Sequence, residues 1–198
     1  MRSSFLFFLI LIELIFNISC KKARVDSDTV SSKDNSVAEQ SFNKVNTGVV
    51  AISIKEEGVN KAAGFSLTCA TVTIQGDSTY PKTIIIDYGT GCSESDGGVI
   101  SGKITAQISN KWSTVGSTST YTLENFNRNG VILKGTVQLV NNGNYSYSTN
   151  VSDGQVSGAG WTVHHNGEKT VKWIAGMATD SLIIDDIYEI SGSSIGVS

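Results

Sequence analysis

The sequence predicts a mainly β fold: an antiparallel meander, as a sandwich or a curved, barrel-like sheet, with one N-terminal helix. Three observations lead there. The 198 residues include 20 Gly and one Pro, and Ser, Thr and Asn are abundant, which suits strands joined by tight turns. After Gly64 the apolar residues recur with period two, as in half-buried strands. Asn129-Gly130, Asn142-Gly143, Asp153-Gly154 and Asn166-Gly167 are hairpin dipeptides, because both central residues of a type I′ turn need positive φ, which Asn, Asp and Gly tolerate. They recur about every 11 to 13 residues, the interval expected of a meander.

The chain opens with the pattern of an export signal. Arg2 supplies a positive start, and Phe5 to Phe16 is an apolar run broken by Glu13. It falls short of the about 20 residues a membrane span needs, and it ends at Asn17-Ile18-Ser19-Cys20. Residues 1–19 therefore read as a signal peptide. Ser19-Cys20 is similar to the lipobox of bacterial lipoproteins, in which the Cys is lipidated and becomes the mature N-terminus. Asn17, where Leu is common, and Glu13, inside the apolar segment, depart from that pattern. Residues 20–35 then read as the lipidated Cys20 and a flexible tether, since Lys21 to Asn35 is too polar to bury surface that offsets its ordering entropy.

Residues 36–198 read as a single β-rich domain. Ser36 and Glu39 have capping-box spacing, and Ala38, Phe42, Val45, Val49 and Ile52 form one helical face. Gly58 is the expected terminator, and Gly48 weakens the helix by up to about 1 kcal/mol. The competing reading makes Val49 to Ile54 a strand. Strands are expected at Thr68 to Ile74, Lys82 to Tyr88, Ile100 to Ile108, Val131 to Leu139, Val156 to His165, Thr170 to Ala175 and Ile187 to Ile190. Asn142-Gly143 is expected to turn one hairpin and pair Asn141 with Asn144, with Tyr145 and Tyr147 following. Gly192 begins a turn, after which Ile195 and Val197 alternate as in a new strand; on this reading the domain is C-terminally incomplete.

Formal net charge is −3, with acidic and basic residues interspersed. No basic stripe exists, so nucleic acid is not an expected partner. With Cys20 lipidated, Cys69 and Cys92 are one candidate disulfide, which an oxidising envelope permits; two unpaired thiols are the alternative, because the pairing depends on their approach in space.

Several segments together carry a resemblance. They are Cys69-Ala70-Thr71-Val72-Thr73, Tyr80-Pro81-Lys82-Thr83-Ile84-Ile85-Ile86-Asp87-Tyr88-Gly89-Thr90-Gly91-Cys92, Asp96-Gly97 and Gly102-Lys103-Ile104. Gly135-Thr136, Trp173-Ile174-Ala175-Gly176, Asp185-Asp186 and Tyr188-Glu189-Ile190-Ser191-Gly192 follow, and the Cys20-Lys21-Lys22 start matches too. The chain resembles a group of uncharacterised Bacteroidetes-type envelope lipoproteins over nearly the whole folded region. Gly98-Val99-Ile100 departs from the pattern, where a basic residue is expected. The resemblance implies an envelope address, and members that often extend further, but no activity and no functional residue.

Chemistry-bearing residues are sparse. His164 and His165, the two histidines, are adjacent, and neighbours on a strand face opposite ways, so they do not ligate one metal together. Asp87, Ser93, Glu94, Ser95 and Asp96 form an acidic, Gly-rich stretch, but without EF-hand spacing; a solvated turn is the expected reading. Asp185 and Asp186 alternate faces. No nucleophile elbow, phosphate loop or dinucleotide fingerprint occurs, and no metal, cofactor or catalytic residue is assigned. Trp112, Tyr145, Tyr147, Trp161 and Trp173 fall on or near strands, where most are expected in the core; any on an open face would suit sugar rings.

The expected function is that of a lipoprotein of the cell envelope, lipid-anchored to a membrane, most naturally the outer one, by a palmitate-type acyl group on Cys20. Its β domain is expected to be structural or ligand-binding rather than enzymatic, with a glycan or lipid as ligand. A carrier of acyl chains or lipoproteins is one alternative, requiring a large apolar cavity. A hydrolase of envelope polysaccharide is the other, requiring a cleft with two carboxylates.

Overall fold

Among the described residues, period-two alternation and one 3.6-period face assemble into one sheet packed on one helix. The computed structural model describes residues 30–56, 69–76, 79–93, 97–176 and 187–197. Cys20, the signal segment, residues 21–29, Gly58, Glu94, Ser95, Asp96, Asp185 and Asp186 lie outside the described residues.

Helix α1 spans Val30–Glu56. It includes Val49 to Ile54, so the helical reading of that segment holds over the strand reading. It begins six residues before the expected cap at Ser36, and residues 30–35, read from sequence as tether, are helical. Tertiary contact is the reason. Asp34 is buried, and the Asn35 amide oxygen lies 3.2 Å from Nδ1 of His165. The apolar face is as expected: Ala38, Phe42, Val45, Val49 and Ile52 are all in the core.

The strands are β1 (Thr71–Gln75), β2 (Lys82–Asp87), β3 (Cys92–Ser93), β4 (Val99–Ile108), β5 (Thr118–Arg128), β6 (Val131–Gly143), β7 (Ser146–Gly158), β8 (Trp161–Ala175) and β9 (Ile187–Val197). They form one antiparallel sheet in the order β1-β2-β4-β5-β6-β7-β8-β9, with β3 also paired to β4. The fold is the expected antiparallel meander with one N-terminal helix. It is neither a sandwich nor a closed barrel: β1 and β9 stand at the two edges, and α1 covers the inner face.

Four details correct the sequence reading. Asn129-Gly130 does turn β5 into β6, with φ of 54° and 82°. The β6–β7 turn, however, is Asn144-Tyr145 rather than Asn142-Gly143, and Gly143 pairs with Ser146. Asp153-Gly154 and Asn166-Gly167 lie inside β7 and β8 rather than at turns, while Ala159 and Gly160 turn β7 into β8 within the expected strand Val156 to His165. Strand β5 was not expected at all. Its buried residues Ser119 and Tyr121 are odd-numbered, but Phe126 is even-numbered, so a register shift between Thr122 and Phe126 breaks the alternation. Finally, Gly192 makes no turn: Ile187–Val197 is one strand. A side chain at Gly192 would collide with the Glu168 and Lys169 backbone, so the glycine permits close pairing with β8.

Two of the misread dipeptides, Asn142-Gly143 and Asp153-Gly154, share a cause: each lies at a register shift. Register shifts occur at Gly102 in β4, Asn125 in β5, Gly135 in β6 and Asp153 in β7, at neighbouring positions of successive strands. Gly102, Asn125, Gly135 and Asp153 all have positive φ. Residues suited to a turn are equally suited to a bulge, and a line of bulges bends the sheet across its strands. The bend lets Ile84, Ile86, Ile104, Ala106 and Ile108 on one side join Val151, Val156 and Val163 on the other, with α1, in one core.

Cys69 and Cys92 form a disulfide across 23 residues, joining the segment before β1 to β3. Closing that loop stabilises the fold by about 3 kcal/mol in the chain-entropy view.

Candidate functional site

Along β7 and β8 the inward positions run in two zones. The first lies under α1. Tyr121, fully buried, donates its hydroxyl to Oδ1 of Asn46 at 2.6 Å, and the Asn46 amide donates to Oγ1 of Thr149 at 3.2 Å. Burial, and secondarily the nearby Tyr147, hold the Tyr121 hydroxyl well above its usual range, so it remains a neutral donor. Lys169 forms an ion pair with Glu39 at 2.8 Å, and Ser194 donates to the same carboxylate. Burial raises the Glu39 carboxyl, but the hydrogen bonds from Lys169 and Ser194 and the Lys169 charge outweigh it, and its pKa is lowered. His165 is buried and stacks on Phe42 with centroids 5.6 Å apart. Desolvation lowers its pKa, opposed by Glu39 and reinforced by Lys169. A cavity of about 10 Å³ remains among these residues. This zone registers the helix on the sheet.

The histidines follow the sequence reading: His164 is exposed and His165 buried, on opposite faces. Among the described residues, no three His, Cys, Asp or Glu side chains converge as a metal site would require. Asp87 caps a turn, accepting from the Gly89 amide at 2.8 Å and facing Nζ of Lys103 at 3.6 Å. An open groove of about 470 Å³ runs beside the β7 bulge, lined by Ser152, Asp153, Asn166, Glu168, Ser193 and Ser194, among others.

The second zone is aromatic and lies further along the same strands. Trp112, buried, meets Tyr147 edge to face at 6.4 Å. Tyr147, mostly buried, has its hydroxyl pushed up to about 12 by burial and by nearby Tyr188. Trp173 lies opposite Tyr188 in the β8–β9 register. Their rings are near-parallel, 21° apart with centroids at 6.1 Å. Tyr145 meets Trp173 at 6.0 Å and 89°. A bond from the Trp173 amide to the Tyr145 carbonyl, 2.9 Å, fixes the turn to β8. The row thus grades from core to solvent: Trp112 is 6% exposed, Tyr188 47% and Tyr145 66%.

Tyr145 occupies this place at a cost. Its φ is 57°, in the second central position of a turn where Gly is preferred. A bulky residue there is strained by about 1 kcal/mol or more. Gly143 stands two residues away, yet serves in a bulge instead. Strain held at an exposed residue is a pointer to function.

The sequence reading thus placed Trp112 correctly in the core. Tyr147 and Trp161 are partly buried against it, Trp161 at the β7–β8 turn. Tyr145 and Trp173 instead join an open cluster with Tyr188, a residue that sequence reasoning did not single out. Its partner Trp173 is 15 positions away in sequence, so the pair becomes visible only once the β8–β9 register is known. Neither did sequence single out Asn46, Tyr121 or Lys169, for the same reason.

No family model matches this chain, and no curated protein or solved structure does so either.

Proposed function

We propose that this chain is a lipid-anchored protein of the cell envelope whose β domain binds a ligand, without catalysis, at the aromatic end formed by Tyr145, Trp173 and Tyr188. The anchor is Cys20, and its support is the short apolar run ending at Ser19-Cys20 together with the resemblance to envelope lipoproteins. The binding role rests on one observation: a strained, exposed Tyr145 is held edge to face with Trp173. Exposed aromatics gathered at one place mark interaction sites more often than scattered apolar residues do.

An acyl-chain carrier finds less support. A ligand pocket typically measures about 300–1,000 Å³, and the inner face is occupied by α1, leaving about 10 Å³. A hydrolase would have its carboxylates in the open β7–β9 groove, where Asp153 and Glu168 both stand.

Two measurements test the proposal. Cys20→Ser should abolish lipidation and leave either an unprocessed precursor or a soluble form; unchanged processing and membrane attachment refutes the anchor. The core draws on residues from Ala38 onward, so the chain from Lys21 is suited to solution work. It should co-sediment with isolated envelope fractions, and Tyr145→Ala or Tyr188→Ala should release it. Co-sedimentation indifferent to both replacements refutes the binding surface.

A further inference from the structure

We infer that two copies of this chain pair along β9, edge to edge and antiparallel, so that the sheet of one continues into the sheet of the other. The inference needs no ligand and stands apart from the binding surface proposed above. β9 ends the sheet and, among the described residues, pairs on one side only, with β8. Its other side presents the alternate backbone N–H and C=O groups of the strand, which a further strand can take up. Such edges are commonly protected by being short, or by Lys, Pro or a bulge. β1, at the opposite edge, has five residues. β9 has eleven, with neither Lys nor Pro, and its register with β8 runs unbroken from Tyr188 to Val197. Ile187, Tyr188, Ile190, Ile195 and Val197 are all exposed, Ile195 most of all at 72%.

Three features select a second copy as the occupant. The first is length. Pairing β9 with the five-residue β1 of another copy would leave more than half of β9 uncovered and, by joining unlike edges, would build an open chain of copies. β9 against β9 uses the whole strand in a closed pair, with about 10 backbone hydrogen bonds, the number typical of a specific interface. The two-fold axis then passes at Gly192. Ile187 lies opposite Val197 of the second copy, Tyr188 opposite Gly196, Glu189 opposite Ile195, Ile190 opposite Ser194, and Ser191 opposite Ser193.

The second feature is cover on the inner face, to which the even-numbered residues of β9 belong. α1 lies over one half of the strand: Ser194 donates to Glu39, and a side chain at Gly196 would collide with Asn35. The other half is open, with Tyr188 and Ile190 exposed beside Trp173 and Val171. The two-fold sets each open half beside a covered one. Tyr188 then lies next to Gly196 of the second copy, against the flank of that copy's α1, and an aromatic ring fills the gap that a strand glycine leaves. The third feature is the outer face. There Ile187 meets Val197, with Ile195 diagonal to it, so apolar side chains gather at both ends of the seam. Glu189, the one charged residue of β9, lies opposite Ile195, and no like charges oppose. Tyr188 belongs both to this seam and to the aromatic end, whereas Tyr145 precedes β7, two strands in from the edge.

The test is sedimentation equilibrium of the chain from Lys21, from micromolar to submillimolar concentration, where the mass should rise to that of two copies and no further. Two variants at one position probe the register. Ile195→Glu sets a carboxylate opposite Glu189 of the second copy at both ends of the seam, and should weaken the dimer about tenfold. Ile195→Lys sets an ammonium there instead, and should leave the dimer as tight or tighter. Ile195 is exposed on the outer face, so neither change disturbs the core. Circular dichroism and thermal unfolding of each variant separate lost pairing from lost fold. Amide exchange along β9 should also slow as concentration rises. A monomer at every concentration overturns the inference, as does an open-ended series of masses. A dimer that both variants weaken alike, or that neither affects, overturns it too. A monomer whose envelope co-sedimentation still depends on Tyr145 removes the seam and leaves the binding surface standing.

Discussion

Under α1, strands β7 and β8 present Thr149, Val151, Val163 and His165, all buried. A few residues further along the same strands, the same alternation presents Tyr147 and Trp173, and there the cover runs out: Tyr145 and Tyr188 beside them are open. Both zones combine aromatic rings with polar atoms. Under the helix each of the main polar side chains has a partner within the protein, Tyr121 with Asn46, Asn46 with Thr149, and Glu39 with Lys169 and Ser194. At the open end the rings of Tyr145 and Tyr188 are exposed. Similar residue chemistry is thus structural in one place and available for recognition in the other. What separates the two is whether a helix side chain lies across the strand.

Replacing residues in the two zones should give unequal stability effects. Phe42→Ala removes a fully buried ring that packs on His165, and should cost about 3–5 kcal/mol by chemical denaturation. Tyr188→Ala removes a half-exposed ring and should cost about 1 kcal/mol or less. Equal losses would mean that the aromatic end is core after all.

Tyr121→Phe is a finer cut within the covered zone. It leaves the ring in place but deprives buried Asn46 of its donor, and should cost about 1–3 kcal/mol. The double replacement Tyr121→Phe with Asn46→Leu should recover part of that loss, because an unmatched polar group is worse than none. A neutral Tyr121→Phe would show that the network adds nothing to helix placement.

Tyr145→Gly should act in the opposite direction. Glycine relieves the positive φ, so the fold should gain about 1 kcal/mol while envelope co-sedimentation falls. Rising stability with falling binding is the signature of a residue retained for function. A stability loss would show that the contact with Trp173 outweighs the backbone strain.

The smallest expected effect is that of pH, and it falls on the covered zone alone. The folded pKa of His165 lies below its ordinary value of 6.5. The unfolded chain therefore takes up the proton first, so the stability of neutral His165 is fully present above 6.5 and declines as pH falls through the folded value. Glu39, with its folded pKa lowered from 4.5, adds a loss of the same sign further down. Glu39 and Lys169 face His165 from α1 and β8. Denaturation midpoints should drop modestly between pH 7.5 and 5, and His165→Phe should flatten that slope. A slope unchanged in His165→Phe would assign the pH response elsewhere.

The path from sequence to these zones was uneven. The helix face from Ala38 to Ile52 was legible because a 3.6-residue period needs only local sequence. The meander was legible because alternation and Asn129-Gly130 are local too. Asn142-Gly143 and Asp153-Gly154 misled, since positive-φ chemistry serves a bulge as well as a turn, and only the partner strand decides which; Asn166-Gly167 is regular strand, where Gly167 leaves room for β9. Strand β5 went unseen because the bulge at Asn125 switches its alternation midway.

The amino-acid order alone therefore determined the mainly β class, the amphipathic helix and its inward residues, and the opposite facing of His164 and His165. These follow from the fixed periods of helix and strand. Tertiary structure decided the early start of α1, which depends on Asn35 reaching His165, and the Cys69–Cys92 bond, which depends on the segment before β1 meeting β3. It also decided which aromatics are buried. Trp112 and Tyr145 look alike in a sequence, but burial is set by what covers a side chain, and that comes from elements far away along the chain.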